Sequence, residues 1–574
     1  MKKLDLNLLA RFGALARPYW YSEERRRAWG LLVLLVLLLV GETAANVFFN
    51  KQSGEFTSAL AAGDGPRFWR SIRLFCGLVV VAVPIYSYYY YVRDKLAIGW
   101  RRWLTHQVLT RYFVDHAFYK LLKTPEVDNP DQRIAEDIST FTTQSLNILV
   151  LFAGAAFQLL AFSRVLWFIS RSLVLFLTLY AAAGTLVTFA VFGRKMVSLY
   201  FEKLKREADF RFGLVRIREN AESIALYRGE RQEQAHVERR FGDIFANFNA
   251  LIRWGLRLNL FSYAYGLIAL VLPSIIIAPR VLSGELEVGR VVEAAGAFAA
   301  ILGALTVFVD NLEYLSRFGA GVGRLDVLFQ KLALPKTVAG AGASRIVVHE
   351  GERLAFDDVT LQTPDYERTL IKALSFQVRP GEGLLIVGAS GCGKSSLLRS
   401  IAGLWDSGTG TLERPKLEDL LFLPQQAYMI LGCLRRQLCY PNIEPPAPDE
   451  KLYEVLQRVN LAGIVERCGG FDAELDFEKD LSVGERQRLA FARVLLNHPR
   501  YVLLDEATSA LDRDNEDMLY QALIATSTTI VSVSHHPALL KYHSQVLELA
   551  DNGDWKLHAA AEFRLNEELV GERC

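Results

Sequence analysis

The sequence predicts an α-helical membrane part of six spans followed by a soluble α/β domain. Three observations carry that prediction. Apolar runs of about 20 residues, the length that crosses a bilayer as a helix, recur before residue 320. After residue 350 the pattern changes to short apolar runs that read as buried strands, separated by stretches of helical spacing. Hydrophobic residues make up 51% of the chain while 22% are charged, values that a chain part membrane and part soluble reconciles. At 574 residues the chain exceeds what one core fills. The net charge of +2 gives no reason to expect a nucleic-acid partner. The six cysteines, Cys76, Cys392, Cys433, Cys439, Cys468 and Cys574, form no CxxC pair, which argues against a zinc site or disulfide framework and for a reducing compartment around the soluble part.

The stretch LNLLARFGALARPYW alternates apolar and basic residues at helical spacing, as an interfacial amphipathic helix does, and no signal-peptide cleavage pattern accompanies it. Arg25, Arg26 and Arg27 follow and place this end in the cytoplasm by the positive-inside rule. The first span, Ala28 to Phe49, carries Glu42, Asn46 and Asn50 on one face. The second, Ile72 to Val92, contains Pro84 and a belt of tyrosines, Tyr86 and Tyr88 to Tyr91, at the lipid–water boundary. A long polar segment follows, with Arg101, Arg102, Arg111, Lys120 and Lys123 and then VDNPDQRIAEDI. The third and fourth spans, Leu146 to Ile169 and Leu173 to Phe192, meet around Ser170 and Arg171, which requires a tight antiparallel hairpin.

The charged stretch EADFRFGLVRIRENAESIALYRGE places Phe210, Leu214, Ile217, Ala221 and Ile224 on one helical face, ends at Gly229, and resumes with Val237, Phe241, Ile244, Phe248 and Leu251. The fifth span is Leu260 to Val281. The sixth, Val291 to Val309, is rich in Ala and Gly, as close helix packing requires. Both ends of the set are cytoplasmic, and the connections after the second and fourth spans are long enough that the helices should continue beyond the bilayer. Membrane charge is costly unless it faces water or a partner. Glu42, Asn46, Glu293, Asp310 and Glu313 are therefore candidates to line a hydrophilic cavity, with inter-helix pairing, such as Glu313 with Arg317, as the alternative. LALPKTVAGAGASR reads as a linker, giving a membrane domain at 1–331, a linker at 332–345 and a soluble domain at 346–574.

In the soluble domain, GASGCGKSS follows an apolar strand (Leu384 to Val387) and precedes the helical SLLRSIAGL. That spacing in that context is a phosphate-binding loop. Backbone N–H groups across Gly388, Ala389, Ser390, Gly391, Cys392 and Gly393, and at the helix start with Ser396, can close around the β- and γ-phosphates of a nucleoside triphosphate. Lys394 adds a mobile positive charge, and the Ser395 hydroxyl can ligate Mg²⁺. FLPQQ puts Gln425 at a strand end, where its amide can reach Mg²⁺ or the attacking water. YVLLDEATSALD delivers Asp505 to Mg²⁺ and sets Glu506 one residue beyond, where a carboxylate can polarise a water in line with the γ-phosphate. LSVGERQRLAFARVLL begins with Ser482, Val483 and Gly484 at a helix start, a second place for phosphate. TTIVSVSHH ends a buried strand at His535, which can hold the γ-phosphate and link it to Glu506.

GASGCGKSS, FLPQ, LSVGE, LLDEATSALD and His535, in this order, resemble the nucleotide-binding domain of ATP-binding cassette (ABC) proteins over roughly residues 350 to 550. The resemblance implies ATP and Mg²⁺ as cofactors and a head-to-tail pair of domains. In that pair Lys394, Ser395, Asp505, Gln425, Glu506 and His535 of one copy face Ser482 and Gly484 of the other across ATP, with Asp512 lining the contact. Val483 and Glu485 stand where the common signature has Gly and Gln. Thr363 stands where an aromatic usually stacks on adenine, with Tyr366 as its substitute. ARPYWYSEERRRAWGLL, VDNPDQRIAEDI and the charged stretch are similar to ABC subfamily D half-transporters and to the bacterial SbmA/BacA-related proteins, which include a mycobacterial importer of cobalamin and antimicrobial peptides. This implies an exporter-type ABC fold and a homodimer. It also implies that the charged helix is a coupling segment turning near Tyr227–Glu230. The expected location is the bacterial inner membrane, with the nucleotide domain in the cytoplasm.

Three functions remain open on these grounds. One is an ATP-driven transporter of a hydrophilic or amphipathic solute, cobalamin-like or peptide, moving inward. Another moves fatty acyl-CoA or a lipid. The third is a membrane-bound signalling ATPase without net transport.

Overall fold

Four of the six apolar runs sit in helices far longer than a bilayer needs. The computed structural model describes residues 6–122, 127, 129–333, 344–442 and 447–564, and the chain divides into two units, Met1–Pro335 and Lys336–Cys574. Among the described residues six helices are long and apolar enough to cross a membrane: Arg25–Ala61, Gly65–Leu121, Pro130–Ile169, Arg171–Gly193, Glu230–Leu282 and Gly289–Val307. The first five expected spans lie inside the first five of these, and the sixth, Val291 to Val309, lies inside the full Gly289–Asp310 helix. The Glu230–Leu282 helix has 53 residues; at 1.5 Å per residue it is about 80 Å long, roughly 50 Å more than the hydrocarbon core. As the length of that connection leads one to expect, the polar segment carrying Arg101, Arg102 and Arg111 continues the second span's helix, which runs from Gly65 to Phe113.

The joints follow local chemistry. Asp64 caps the second span by accepting from Arg67 N at 3.0 Å. Ser170, in extended conformation, is the single residue between the Ile138–Ile169 and Arg171–Val187 helices. The break expected at Gly229 is spread over two joints: the helix from Arg194 stops at Glu219, resumes over Ala221–Tyr227, and turns through Arg228 in the left-handed region (φ 54°). The apolar face expected on this stretch is only partly covered within the chain: Leu214 and Ala221 are exposed, while Ile217 and Ile224 are half-buried and Phe210 packs on Phe241 at 5.7 Å. The Leu6–Trp20 helix, expected at the bilayer interface, buries Leu15, Ala16 and Tyr19 in a cluster with Val322, Leu325 and Leu328. Tyr19 also stacks on Trp100 at 5.5 Å.

The first and sixth spans meet at small residues. Gly289 N donates to Ser58 Oγ at 3.0 Å, and Asn50 Nδ2 donates to Glu293 O at 2.9 Å. A Cβ on Gly289 would lie 1.8 Å from Gly54 O, so only glycine permits this approach. Of the candidate cavity residues, Glu293 is buried and paired with Arg290 at 2.7 Å, and Asn46 Oδ1 accepts from Tyr86 Oη at 2.9 Å. The Glu42 carboxylate is half-buried. The side chains of Asp310 and Glu313 lie outside the described residues, as does most of the expected linker; its first residues, Leu332 and Ala333, still belong to the Leu312–Ala333 helix.

In the second unit the strands in chain order are β1 (Val347–Glu350), β2 (Leu354–Gln362), β3 (Thr369–Val378), β4 (Leu384–Gly388), β5 (Gly408–Arg414), β6 (Leu420–Leu423), β7 (Gly432–Cys433), β8 (Glu474–Leu475), β9 (Tyr501–Asp505), β10 (Thr529–Val533), β11 (Gln545–Leu549) and β12 (Trp555–Ala559). They build a four-stranded sheet of order β1-β5-β2-β3 and a six-stranded sheet of order β12-β11-β4-β10-β9-β6, with β7 pairing β8. All pairs of the six-stranded sheet are parallel except β11 with β12. β4 and β10 are buried along their whole length, as strands covered on both faces must be. A second core lies under the Val483–Asn497 helix, where Leu489, Phe491 and Leu495 pack with Leu452, Leu456 and Leu519.

Candidate nucleotide site

In an open parallel sheet, ligands gather beyond the carboxyl ends of the strands. The spatial order β4-β10-β9-β6 sets four such ends side by side. β4 leads into the glycine loop, β10 into His535, β9 ends on Asp505, and β6 leads into Gln425. Residues spread over 148 positions of sequence, Gly388 to His535, are thus brought to one edge by register alone.

The loop's glycines are required by conformation. Gly388, Gly391 and Gly393 have φ of 147°, 85° and 111°, and a Cβ on Gly388 would lie 2.3 Å from Leu549 O. The Lys394–Ile401 helix begins directly after. Lys394 Nζ donates to Gly388 O at 2.7 Å and to Ala389 O at 2.8 Å, which holds its charge across its own loop. Ser395 Oγ donates to Asp505 Oδ1 at 3.0 Å. Burial pushes the Asp505 carboxyl above its usual range, against the pull of that hydroxyl. A hydroxyl and a carboxylate facing each other, with an amide nearby, are hard oxygen donors that suit Mg²⁺, an ion that takes few protein ligands and completes its shell with phosphate and water.

Glu506 sits at φ 48°, outside the regions a glutamate prefers, and its N–H donates to Val533 O at 3.0 Å. This turn aims its carboxylate between two neighbours. Gln425 Nε2 donates to Glu506 Oε2 at 2.9 Å, and His535 Nε2 lies 3.7 Å from Glu506 Oε1. The sequence-predicted Lys394, Ser395 and Asp505 are therefore together, as are Gln425, Glu506 and His535.

The remaining candidates stand apart. Ser482 caps the Val483–Asn497 helix in a capping box: its Oγ accepts from Glu485 N at 3.3 Å, and Glu485 Oε2 accepts from Ser482 N at 2.9 Å. Among the described residues, neither Ser482 nor Gly484 hydrogen-bonds to the glycine loop, Asp505 or Glu506. Asp512 caps the Arg513–Ile524 helix through Asn515 N at 2.8 Å. The Tyr366 hydroxyl donates to Ser344 O at 3.2 Å.

Several supporting residues escaped the sequence reading. Gln487 is buried and bridges the site's edges, donating to Gln425 O and Ser509 Oγ, both at 3.4 Å, and accepting from Ala510 N at 3.1 Å. Arg493 donates to Tyr428 O at 2.8 Å and to Gln437 O at 2.7 Å, and burial lowers its guanidinium to about 10. Both tie the Val483–Asn497 helix to the segment after Gln425. Glu516, 2% exposed, accepts from Thr508 Oγ1 at 2.6 Å and meets His536 Nδ1 at 3.1 Å, joining the loop after Glu506 to the residue after His535. The one signal available in sequence was a lone polar residue on an otherwise apolar helical face.

Comparison with known proteins extends the geometry. Residues 15–282 match the family described as ABC transporter transmembrane region 2, and residues 371–509 match the family described as ABC transporter. An uncharacterized ABC transporter ATP-binding protein of Synechocystis is 43% identical over 93% of this chain and 82% of its own length. The chloroplastic ABC transporter D family member 2 of Arabidopsis thaliana is 35% identical over 95% of this chain and 86% of its own. The lysosomal cobalamin transporter ABCD4 of Homo sapiens is 30% identical over 97% of both chains.

Proposed function

The chain belongs to the ABC transporter family, among the half-transporters of its D subfamily, and we propose that two copies of it form an importer of a hydrophilic or amphipathic solute, cobalamin-like or peptide. It is a multi-pass membrane protein with an ATPase coupled to transport, and its ATPase domain binds ATP with Mg²⁺. The bacterial inner membrane is the location that fits this reading, with the nucleotide domain in the cytoplasm.

Within each site the glycine loop and Lys394 would hold the β- and γ-phosphates, and Ser395, Asp505 and Gln425 would hold Mg²⁺. The bound Mg²⁺ supplies positive charge against the charge that builds on the phosphoryl oxygens. Glu506 polarises the attacking water, and His535 keeps that carboxylate aligned with the γ-phosphate. Ser482 and Gly484 of the second copy complete the site with hydroxyl and backbone N–H groups, Glu485 and Asp512 border the contact, and Tyr366 packs against the base. ATP-driven closure switches the membrane cavity, and hydrolysis releases it.

The observation that carries the dimer is an uncovered stripe. Phe241, Phe245, Phe248, Ile252 and Leu256, spaced four, three, four and four apart on the part of the Glu230–Leu282 helix that extends past the bilayer, are 40–61% exposed in a single chain. A run of large apolar side chains in water needs cover, and a second copy supplies it. A hydrophilic cargo is supported by Glu42 and Asn46 on one face of the first span, and cobalamin by the likeness to the human lysosomal cobalamin transporter. The test is uptake of labelled cobalamin, and separately of peptide and acyl-CoA, into proteoliposomes. ATP-dependent uptake of cobalamin or peptide that Glu506→Gln abolishes supports the reading. ATP consumption with none of these cargoes moving contradicts it.

A further inference from the structure

The helix start that carries Ser482 has a charge problem. Its first turn must offer N–H and hydroxyl groups to a triphosphate, yet Glu485 places a carboxylate three residues from the serine. Glu485 Oε2 accepts from Ser482 N at 2.9 Å and from Ser482 Oγ at 3.0 Å, so a negative charge touches the group meant to meet phosphate. The other oxygen, Oε1, is paired with Arg467 Nη1 at 2.7 Å. Arg467 comes from a separate segment, the short Ile464–Arg467 helix, and its side chain is 54% exposed while that of Glu485 is 17% exposed. Burial raises the Glu485 carboxyl, but the Arg467 guanidinium and the Ser482 donors outweigh it and hold the group ionised. The neighbouring Arg486 is already engaged by Glu478, and Asp480 adds a further negative charge near Cys468. Arg467 is therefore the cation positioned to offset Glu485.

We propose that Arg467 is a positioning residue for ATP: it neutralises Glu485 so that the first turn of the Val483–Asn497 helix can receive the triphosphate held by the other copy. The inference rests on the reading, given above, that Ser482 of one copy meets ATP bound by its mate. In the open chain the pair is half in water and contributes little. On closure the site loses water, and an uncompensated carboxylate next to the γ-phosphate is felt more strongly.

The test measures retention of radiolabelled ATP with Mg²⁺ on the full chain in lipid nanodiscs, in the Glu506→Gln background, alongside steady-state turnover without it. Arg467→Gln should weaken apparent ATP affinity about fivefold and raise KM by a similar factor, with kcat changed less than about twofold. The defect should shrink as salt screens the repulsion. In a Glu485→Gln chain, removing Arg467 should have no further effect. A role confined to folding would lower kcat and thermal stability, would not respond to salt, and would persist beside Glu485→Gln. An unchanged affinity, or an equal loss in both backgrounds, overturns the inference while Lys394→Ala still abolishes binding. If Lys394→Ala binds and hydrolyses ATP normally, the assignment of the site itself falls, and this inference with it.

Discussion

At the scale of single residues, buried polar groups tie together the segments around Glu506 in the soluble unit. His543 is one. Its Nδ1 donates to Leu539 O at 2.8 Å, and its Nε2 accepts from Ser532 Oγ at 2.9 Å on the strand that ends beside His535. Burial lowers the imidazole to about 4. An unfolded chain takes up this proton near its ordinary pKa of about 6.5, so between the two values the unfolded state is protonated and the folded state is not. Stability from this group is intact above about pH 6.5, falls as pH drops through that window, and levels off below pH 4 after a loss of roughly 3 kcal/mol. Thermal unfolding of the wild-type chain and His543→Gln from pH 7.5 to 4.5 checks the sign. The variant should lose less stability on acidification, and parallel curves would contradict the assignment. Glu516 is another: with Thr508 and His536 both bonded to it, Glu516→Ala should destabilise the unit by about 2–4 kcal/mol, measured by denaturant unfolding of the full chain.

At the scale of elements, close packing explains composition that the spans alone do not need. A Cβ on Gly289 would press on Gly54 O and, at 2.4 Å, on Ser58 Oγ, whereas one on Gly303 in the same helix meets nothing within 4 Å. Gly289→Ala should therefore lower the melting temperature of the detergent-solubilised protein by a few degrees, and Gly303→Ala should leave it within error. Equal effects would mean that helix propensity, not contact, decides. Elements were legible in the sequence where burial writes a strong pattern. A span is a long apolar run, and a strand covered on both faces, such as Tyr501–Leu504, is a short one. The length of the connections also foretold that the second span's helix continues through Arg101 to Arg111, but the docking of Tyr19 on Trp100 was not legible, because an amphipathic face does not name its partner. The same holds at the site. Lys394, Asp505 and Glu506 announce themselves by local spacing, while Gln487, Arg493 and Glu516 acquire meaning only when strands and helices far apart in sequence meet.

At the scale of the whole molecule, one chain carries every residue the proposed chemistry uses, but distributes them over two places. The glycine loop, Asp505, Glu506, Gln425 and His535 share one sheet edge, and Ser482 and Gly484 cap a helix with no hydrogen bond to that edge among the described residues. The proposed symmetric pair of chains would resolve the separation by joining the two places across ATP. The direct test mixes two inactive variants, Lys394→Ala and Ser482→Arg, in one preparation. If each site is shared between copies, a mixed pair contains one site with both of its parts intact. Random assembly of equal amounts should then recover roughly a quarter of wild-type ATP turnover, against background for either variant alone. Turnover that stays at background in verified mixed pairs would contradict the shared site.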